Sequence, residues 1–368
     1  MKREVAYDAL RGLFLVIMTI DHYGGPLRKY TLETFGFISG AEGFVFLSGL
    51  VAGFVYAKYA VRDPEQFYKH ALRRSWTIYQ AHIITFFILV ATLFLSQTAQ
   101  TLWPDQMKLI YERPIYGLLG LTMLFQPPDL DILPMYVVFV LLIPSLLKKF
   151  RQGKSHYILG ISFLIWCLAQ FGLKENFILF FAPYVQLELG YFDIIAWQFV
   201  FIFGAWLGYE RVFTKRLSIP RNRYLISGTV IILVALMLTR HKIGPFEALW
   251  DYGVAEASAK GPLAWMRMIN FVLAVYFIGW LIAAYNRYFN IPWLIFLGQH
   301  SLYVYSYHVV LIYYVNLIQP KIEESGEISE LIVSLLLTAS LTIPALLHKS
   351  YVDRQKKQLA KKIVTNES

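Results

Sequence analysis

Two polar side chains stand in the first apolar stretch of the chain at a spacing that can support chemistry. Arg11 and His22 are eleven residues apart, which puts them on nearly one face of a helix, ~16 Å apart along its axis. An imidazole titrates near neutral pH and can act as a general base, and an arginine inside an apolar helix is tolerated where it faces a polar cavity or a partner. The same residues also suit a structural role, in which Arg11 pairs with Asp8 or reaches the aqueous boundary and His22 marks a helix end.

Five further residues are candidates of the same kind. Glu42 is an acid in the second apolar stretch, where Ser48 and the glycine after it more commonly let helices approach closely than perform chemistry. Arg73 and Arg74 form a basic pair that can hold a phosphate, although basic residues at the ends of membrane spans are expected without any ligand. His308 lies deep in an apolar run and needs a hydrogen-bonding partner, in a cavity or in the protein core.

The composition excludes a soluble enzyme. Hydrophobic residues make up 57% of the 368 residues and charged residues 16%, and the mean hydropathy is +0.50; this is more apolar surface than one soluble core can enclose. In such a chain the net charge of +10 indicates the cytoplasmic ends of membrane spans rather than a nucleic-acid partner. Cys167 is the single cysteine, so neither a disulfide nor a cysteine-based metal site can form within one chain.

Ten apolar runs approach the roughly 17 to 25 residues that a membrane span needs. They predict an all-α, polytopic integral membrane protein of about ten transmembrane helices, near residues 9–24, 35–57, 76–97, 132–147, 157–171, 192–209, 224–239, 264–285, 294–317 and 329–347. Counted as ten, these spans place most lysines and arginines on the side of the N-terminus, which predicts that both termini are cytoplasmic. The short run 116–126 would reverse this pattern as an eleventh span, so Gly117 to Phe125 is assigned to a re-entrant or interfacial helix.

Four separated segments give the chain a likeness to a known group of membrane enzymes. They are Asp8-Ala-Leu-Arg11-Gly-Leu with His22, Phe44-Val-Phe46-Leu-Ser48-Gly49, Arg73-Arg74, and Ser301-Leu-Tyr303-Val-Tyr305 to His308. In this order they resemble the acyltransferase family 3 superfamily of bacterial membrane acyltransferases. The stretch Asp131-Ile-Leu-Pro134-Met-Tyr136, followed by Pro144, looks like its OpgC-type branch, which decorates osmoregulated periplasmic glucans.

The resemblance implies an acyl-CoA-dependent O-acyltransferase of the bacterial inner (cytoplasmic) membrane. It would move an acyl group, succinyl in preference to acetyl, from cytoplasmic acyl-CoA to a hydroxyl of a periplasmic glucan or another extracytoplasmic carbohydrate. No permanently bound cofactor and no metal are implied. We expect one transmembrane acyltransferase domain at 1–349 and a basic cytoplasmic tail at 350–368. The oligomeric state cannot be read, because lipid-facing and partner-facing surfaces have the same apolar composition.

The same resemblance implies roles for the residues of the first span. His22 would be the general base that takes the proton of the acceptor hydroxyl, and Asp21 or Glu42 would orient it. Adjacent residues of a helix point ~100° apart, so Glu42 on another span has the freer geometry. His308 would line the cavity or support the first span.

The donor would be held from the cytoplasmic side. The resemblance implies that Arg73 and Arg74 bind the CoA phosphates and that Arg11 guides the donor, and it places Ser48 with the donor-binding residues. The main alternative function is a transporter or flippase for a polar or anionic molecule, because translocation pathways also carry arginine and histidine within spans. A membrane scaffold, with these charges as struts between helices, is a third possibility.

Overall fold

The protein is built from helices. The structure, a computed structural model, describes residues 5–63, 66–103, 106, 111, 114–213, 220 and 222–366, with side chains described as far as 359. Its main helices are α1 (Val5–Tyr23), α2 (Gly40–Arg62), α3 (Phe67–Leu95), α4 (Ile115–Leu121), α5 (Ile132–Arg151), α6 (Ser155–Ala169), α7 (Leu173–Phe181), α8 (Ile194–Phe213), α9 (Arg223–Arg240), α10 (Trp265–Tyr285), α11 (Pro292–Gln299), α12 (Ser301–Asn316), α13 (Glu327–Ser340) and α14 (Thr342–Asn366). An isolated bridge between Phe125 and Glu188 is the one β-type pairing in the described part of the chain. The predicted all-α class is confirmed.

Six helical segments are long and apolar enough to cross a membrane. They are Gly40–Arg62, Phe67–Leu95, Ile132–Arg151, Arg223–Arg240, Trp265–Phe289 and Glu327–Leu359. The bent pair α6 and α7, whose axes differ by 61°, would add a seventh if it forms one span. The chain is therefore a multi-pass membrane protein.

The other three predicted spans also coincide with helices, but these helices are more polar or interrupted. α1 carries Asp8, Arg11 and Asp21, and α8 contains Gln198 and ends in charged residues. The run at 292–316 is divided at His300 into α11 and α12.

α11 and α12 run in opposite directions along α1. Leu294 and Gly298 of α11 meet Gly12 and Asp8, in antiparallel order. Ser301 and His308 of α12 meet Arg11 and His22, in parallel order. The predicted span 294–317 is therefore two segments, of which α12 runs parallel to α1. A count of ten spans stays a prediction.

Two helix boundaries differ from those predicted. α2 begins at Gly40 rather than near residue 35, because Ser39 caps it: the Ser39 hydroxyl accepts from the Ala41 N–H, and the Glu42 carboxylate accepts from the Ser39 N–H. α3 begins at Phe67 rather than near residue 76. The Arg73-Arg74 pair therefore lies on a helix and not in the connection before it.

The chain divides into two compact units. A terminal unit combines residues 1–31 with residues 287–368, and a central unit comprises residues 32–286. In the terminal unit, α14 runs without a break through residue 349, where the sequence suggested the start of a tail.

Glycines bring α1 and α11 of the terminal unit into backbone contact. A Cβ atom on Gly12 would overlap the carbonyl of Leu294, and one on Gly298 would overlap the carbonyl of Asp8. Small residues allow this close approach between membrane helices. The contact fixes the first span against the segment that leads into α12.

α1 and α12 run in the same direction. Arg11 contacts Ser301 near the start of both helices, and His22 contacts His308 further along both. Because the two contacts follow the same order along the two chains, the helices are parallel.

The central unit contains a second parallel pair, α2 and α8. A Cβ on Gly49 would overlap the carbonyl of Phe201, and one on Gly53 would overlap that of Ala205. Two glycines of α8, Gly204 and Gly208, approach α2 in the same way. The packing interpretation of the Ser48-Gly49 segment is therefore confirmed for Gly49.

The short helix α4 ends against the middle of α3. The Tyr79 hydroxyl donates to the carbonyl of Leu121 at 3.0 Å, and the Nε2 atom of the fully buried His82 lies 3.5 Å from the carbonyl of Gly120. The ring of Phe86 fills the space in which Gly120 lacks a side chain. With seven residues, α4 is ~10 Å long and cannot cross a bilayer.

Candidate functional site

Arg11 is anchored by the first residue of α12. Its Nη2 atom donates to the hydroxyl of Ser301 at 2.6 Å, and Ser301 is buried while Arg11 is half-buried. The bond is possible because the chain breaks at His300, so Ser301 begins a new helix beside α1. The guanidinium is thereby held at one position along the polar face of α1.

His22 and His308 form a pair further along the same two helices. The Nδ1 atom of His22 lies 3.3 Å from the Nε2 atom of His308, with ring centroids 5.3 Å apart. His308 is fully buried, and its Nδ1 atom lies 2.8 Å from the carbonyl of Tyr305. The sequence predicted that His308 lines a cavity or supports the first span; in the structure it contacts His22 of that span.

The contact with the Tyr305 carbonyl determines which nitrogen atoms of the two histidines carry protons. A carbonyl oxygen only accepts, so the Nδ1 atom of His308 carries a proton and the Nε2 atom of its neutral ring is an acceptor. His22 then donates its Nδ1 proton to that acceptor. The lone pair of the neutral His22 ring is consequently on Nε2, which defines the atom that can take a proton.

The two acids considered as partners of His22 both have other bonds. Asp21 is buried and accepts a hydrogen bond of 2.6 Å from the Thr31 hydroxyl, which ties the end of α1 to the turn that follows. Glu42 accepts from the N–H and hydroxyl of Ser39 at 2.8 and 2.7 Å and from Nη1 of Arg267 at 2.9 Å.

Glu42 belongs to a buried network of charged side chains in the central unit. Arg267 donates to Glu33 at 2.6 Å as well as to Glu42, and Arg240 donates to the other oxygen of Glu33 at 2.5 Å. Two acids and two bases make the network neutral overall. No sequence prediction named Glu33, Arg240 or Arg267. Arg267 could have been found, because it is, like Arg11, an arginine inside an apolar run.

The network controls the ionisation of Glu33, which lies in the connection before α2. Burial alone would raise the pKa of the Glu33 carboxyl, but the charge and hydrogen bonds of Arg267, together with those of Arg240, outweigh burial. The pKa of Glu33 is therefore lower than its ordinary value. The carboxylate stays charged and holds residues 33–39 against α10.

A second buried acid, Asp131, stands just before α5. Its Oδ2 atom accepts from the backbone N–H groups of Tyr191 and Phe192 at 2.8 and 3.1 Å. Burial raises the pKa of the Asp131 carboxyl despite these bonds. Asp131 begins the stretch that resembled the OpgC-type branch, and the structure shows that it joins two connections of the central unit.

The remaining predicted donor residues lie on α2 and α3. Arg73 and Arg74 are exposed within the first turns of α3, and Ser48 is half-buried on α2. The donor-binding role of the two arginines and Ser48 stays a prediction. In the described part of the chain, no three His, Cys, Asp or Glu side chains come together as a metal site.

These features define a multi-pass helical membrane protein with a histidine pair and a held arginine on two parallel helices. The model of the family described as OpgC protein matches residues 3–352, which is nearly the whole chain. The chain belongs to the OpgC family, as the resemblance predicted. The family implies a membrane acyltransferase that acts on glucans. No curated protein and no solved structure matches the chain.

Proposed function

We propose that this protein is an O-acyltransferase that moves an acyl group from cytoplasmic acyl-CoA to a hydroxyl of a periplasmic glucan. Succinyl is the favoured acyl group, and acetyl is the alternative. The observation that carries the proposal is the contact between His22 and His308. It gives a membrane helix an imidazole whose basic atom is defined, on the same face as a held arginine.

The proposed reaction is direct transfer. The acceptor hydroxyl gives its proton to Nε2 of His22 while its oxygen attacks the thioester carbonyl, and the carbon–sulfur bond then breaks. CoA leaves as a thiolate and takes up the proton, so His22 returns to its neutral form. General-base assistance of this kind contributes about 10²- to 10⁴-fold.

His308 is the positioning partner in this scheme. Its Nε2 atom accepts from Nδ1 of His22, which holds the ring and stabilises the positive charge that His22 gains when it takes a proton. The Tyr305 carbonyl keeps His308 in the tautomer that can accept. This removes the need for an acid to orient His22.

Arginines bind the donor in the proposal. Arg73 and Arg74 contact the CoA phosphates from the cytoplasmic side, where a bidentate guanidinium suits a phosphate. Arg11, held by Ser301 near the start of α1, guides the donor in the inner half of the cavity. The OpgC family membership supports an acyltransferase, and the donor itself is part of the proposal.

We further propose ten spans in the bacterial inner membrane, with both termini cytoplasmic. The parallel pairs support this count over eleven. With ten spans, α1 and α12 belong to the first and ninth spans, and α2 and α8 to the second and sixth. Two odd-numbered or two even-numbered spans cross the membrane in the same direction, as these pairs do, and this numbering holds only if α4 does not cross. An eleventh span at α4 would make both pairs antiparallel, whereas the contacts order them as parallel.

The test is transfer of radiolabel by the purified protein in nanodiscs. Labelled succinyl-CoA and labelled acetyl-CoA are each offered with a periplasmic glucan fraction, to wild type, His22→Ala, Arg11→Ala and His156→Ala. His156 is exposed at the start of α6 and serves as the matched control. We expect wild type and the control to label the glucan, with succinyl preferred, and His22→Ala to fail. A wild type that consumes neither donor with any glucan tested, but moves one of them across a vesicle membrane, would favour transport instead.

A further inference from the structure

A second histidine pair lies at the junction of α11 and α12. The Nδ1 atom of His300 is 2.7 Å from the Nδ1 atom of His348 on α14, and both rings are half-buried. The ring of Tyr303 stacks on His348 at 4.0 Å, and Phe296 meets His300 edge-on at 5.0 Å. The proposed reaction makes no use of this pair.

The pair sits next to the residue that holds Arg11. His300 occupies the break between α11 and α12, and Ser301, the acceptor of the Arg11 hydrogen bond, is the next residue. A second bond joins the same elements, from Nε1 of Trp293 to the hydroxyl of Thr342 at 2.9 Å. α14 therefore braces the junction that places Ser301.

We propose that His348 is a positioning residue for the donor side of the site, because its bond to His300 fixes the α11–α12 junction and, through Ser301, the guanidinium of Arg11. This inference rests on the proposed function. It assigns the C-terminal helix a part in the reaction without contact to either substrate.

The bond depends on the number of protons that the two rings carry. With one proton between the two Nδ1 atoms, one ring donates and the other accepts, whether the pair is neutral or holds a single positive charge. When both rings are protonated, two N–H groups face each other and the bond is lost. Among charged or titratable residues, Tyr303 on α12 stacks on His348 itself, Arg11 on α1 contacts the neighbouring Ser301, and Lys349 on α14 lies over the ring of Phe296. Asp8 on α1 meets the same segment through its backbone carbonyl, at Gly298.

The variants follow from this geometry. His348→Ala removes the bond, whereas His348→Asn places an amide near the former Nδ1 atom and can restore it. Tyr303→Phe keeps the ring stacked on His348 and is the matched control. We expect His348→Ala to raise the KM for acyl-CoA about fivefold to tenfold, the effect of one lost hydrogen bond, with kcat little changed.

Two measurements decide the inference. The first is amide hydrogen exchange of residues 292–304 and 342–350, which needs no activity; exchange should rise in His348→Ala and stay near wild type in His348→Asn and Tyr303→Phe. The second is the pH dependence of KM, which should rise at low pH in wild type as the second ring is protonated, and lose that rise in His348→Asn.

The outcomes separate this inference from the proposed function. Unchanged exchange in His348→Ala overturns it whatever the donor proves to be, and so does faster exchange with an unaltered KM. If wild type consumes no acyl-CoA, the proposed function fails, while the exchange result still shows whether His348 holds the junction.

Discussion

At the scale of single residues, the hydrogen bonds of His308 determine how His22 is held. The Nδ1 atom of His308 is tied to the Tyr305 carbonyl, so its Nε2 atom is left to hold His22. A histidine pair of this kind sets a tautomer as well as a position. The sequence could show that both histidines lie in apolar runs, but not that helices almost three hundred residues apart bring them together.

His308 should affect the rate more than donor binding. In His308→Ala the His22 ring loses its acceptor, and we expect kcat to fall about 10- to 100-fold with little change in the KM for acyl-CoA. His308→Gln keeps an acceptor near the same place and should retain more activity. Steady-state kinetics of the two variants provide the check; equal losses in both would show that the hydrogen bond does not matter.

Arg267 should be the most sensitive charged residue for stability. Its removal takes from the buried Glu33 and Glu42 the guanidinium that both of them bind. Breaking a buried ion pair lowers the free energy of unfolding by about 3 to 5 kcal/mol. Arg240→Ala, which leaves Arg267 in place, should cost much less. Thermal unfolding in detergent compares the two variants, and a similar loss in both would contradict a central role for Arg267.

Glu33 should make stability sensitive to acid. Because its pKa is lowered by Arg267 and Arg240 against the effect of burial, its contribution is fully present above the ordinary value of 4.5 and is lost as the pH falls through the lowered pKa. Glu33→Gln should be less stable at neutral pH and lose this part of the acid sensitivity. Both expectations are tested by the melting temperatures of wild type and Glu33→Gln in detergent, measured from neutral pH down to the lowest pH at which the protein stays soluble.

At the scale of helices, glycines allow the backbones of α1 and α11, and those of α2 and α8, to come into contact. Extra atoms forced into a well-packed contact cost about 1 to 3 kcal/mol, so Gly53→Ala should destabilise the α2–α8 pair and Gly12→Ala the α1–α11 pair. Gly228→Ala on α9, where nothing lies within 4 Å of the added atom, is the control and should not destabilise the protein, because alanine favours a helix over glycine. A loss of thermal stability in the control equal to that of Gly53→Ala would contradict this reading.

The helices themselves were largely predictable, because apolar runs of sufficient length determine them. The partners were not: the sequence offered Asp21 or Glu42 as an acid for His22, but it could not show that Glu42 accepts hydrogen bonds from Ser39 and Arg267. Capping also explains why α2 begins at Gly40 although the apolar run begins near residue 35, since Ser39 caps the N-terminus of the helix. Contacts between distant segments depend on packing that no local pattern records.

At the scale of the whole molecule, the direction of each helix is the main prediction. In a Cys167→Ser background, Tyr184→Cys should react with a membrane-impermeant reagent from the periplasm, and Ser350→Cys only after the cytoplasmic side is opened; both positions are exposed. An eleventh span at α4 would exchange the two results. Labelling of intact and permeabilised cells distinguishes the two topologies.

Replacement of His22 by a residue that cannot take a proton tests whether His22 is the general base. His22→Asn retains an amide near the Nδ1 position, so it can still donate to His308, but it has no group that takes a proton. We predict that kcat for acyl transfer to glucan falls about 10²- to 10⁴-fold while the affinity for acyl-CoA is unchanged. A variant that transfers within a few-fold of wild type would contradict the assignment of His22 as the general base.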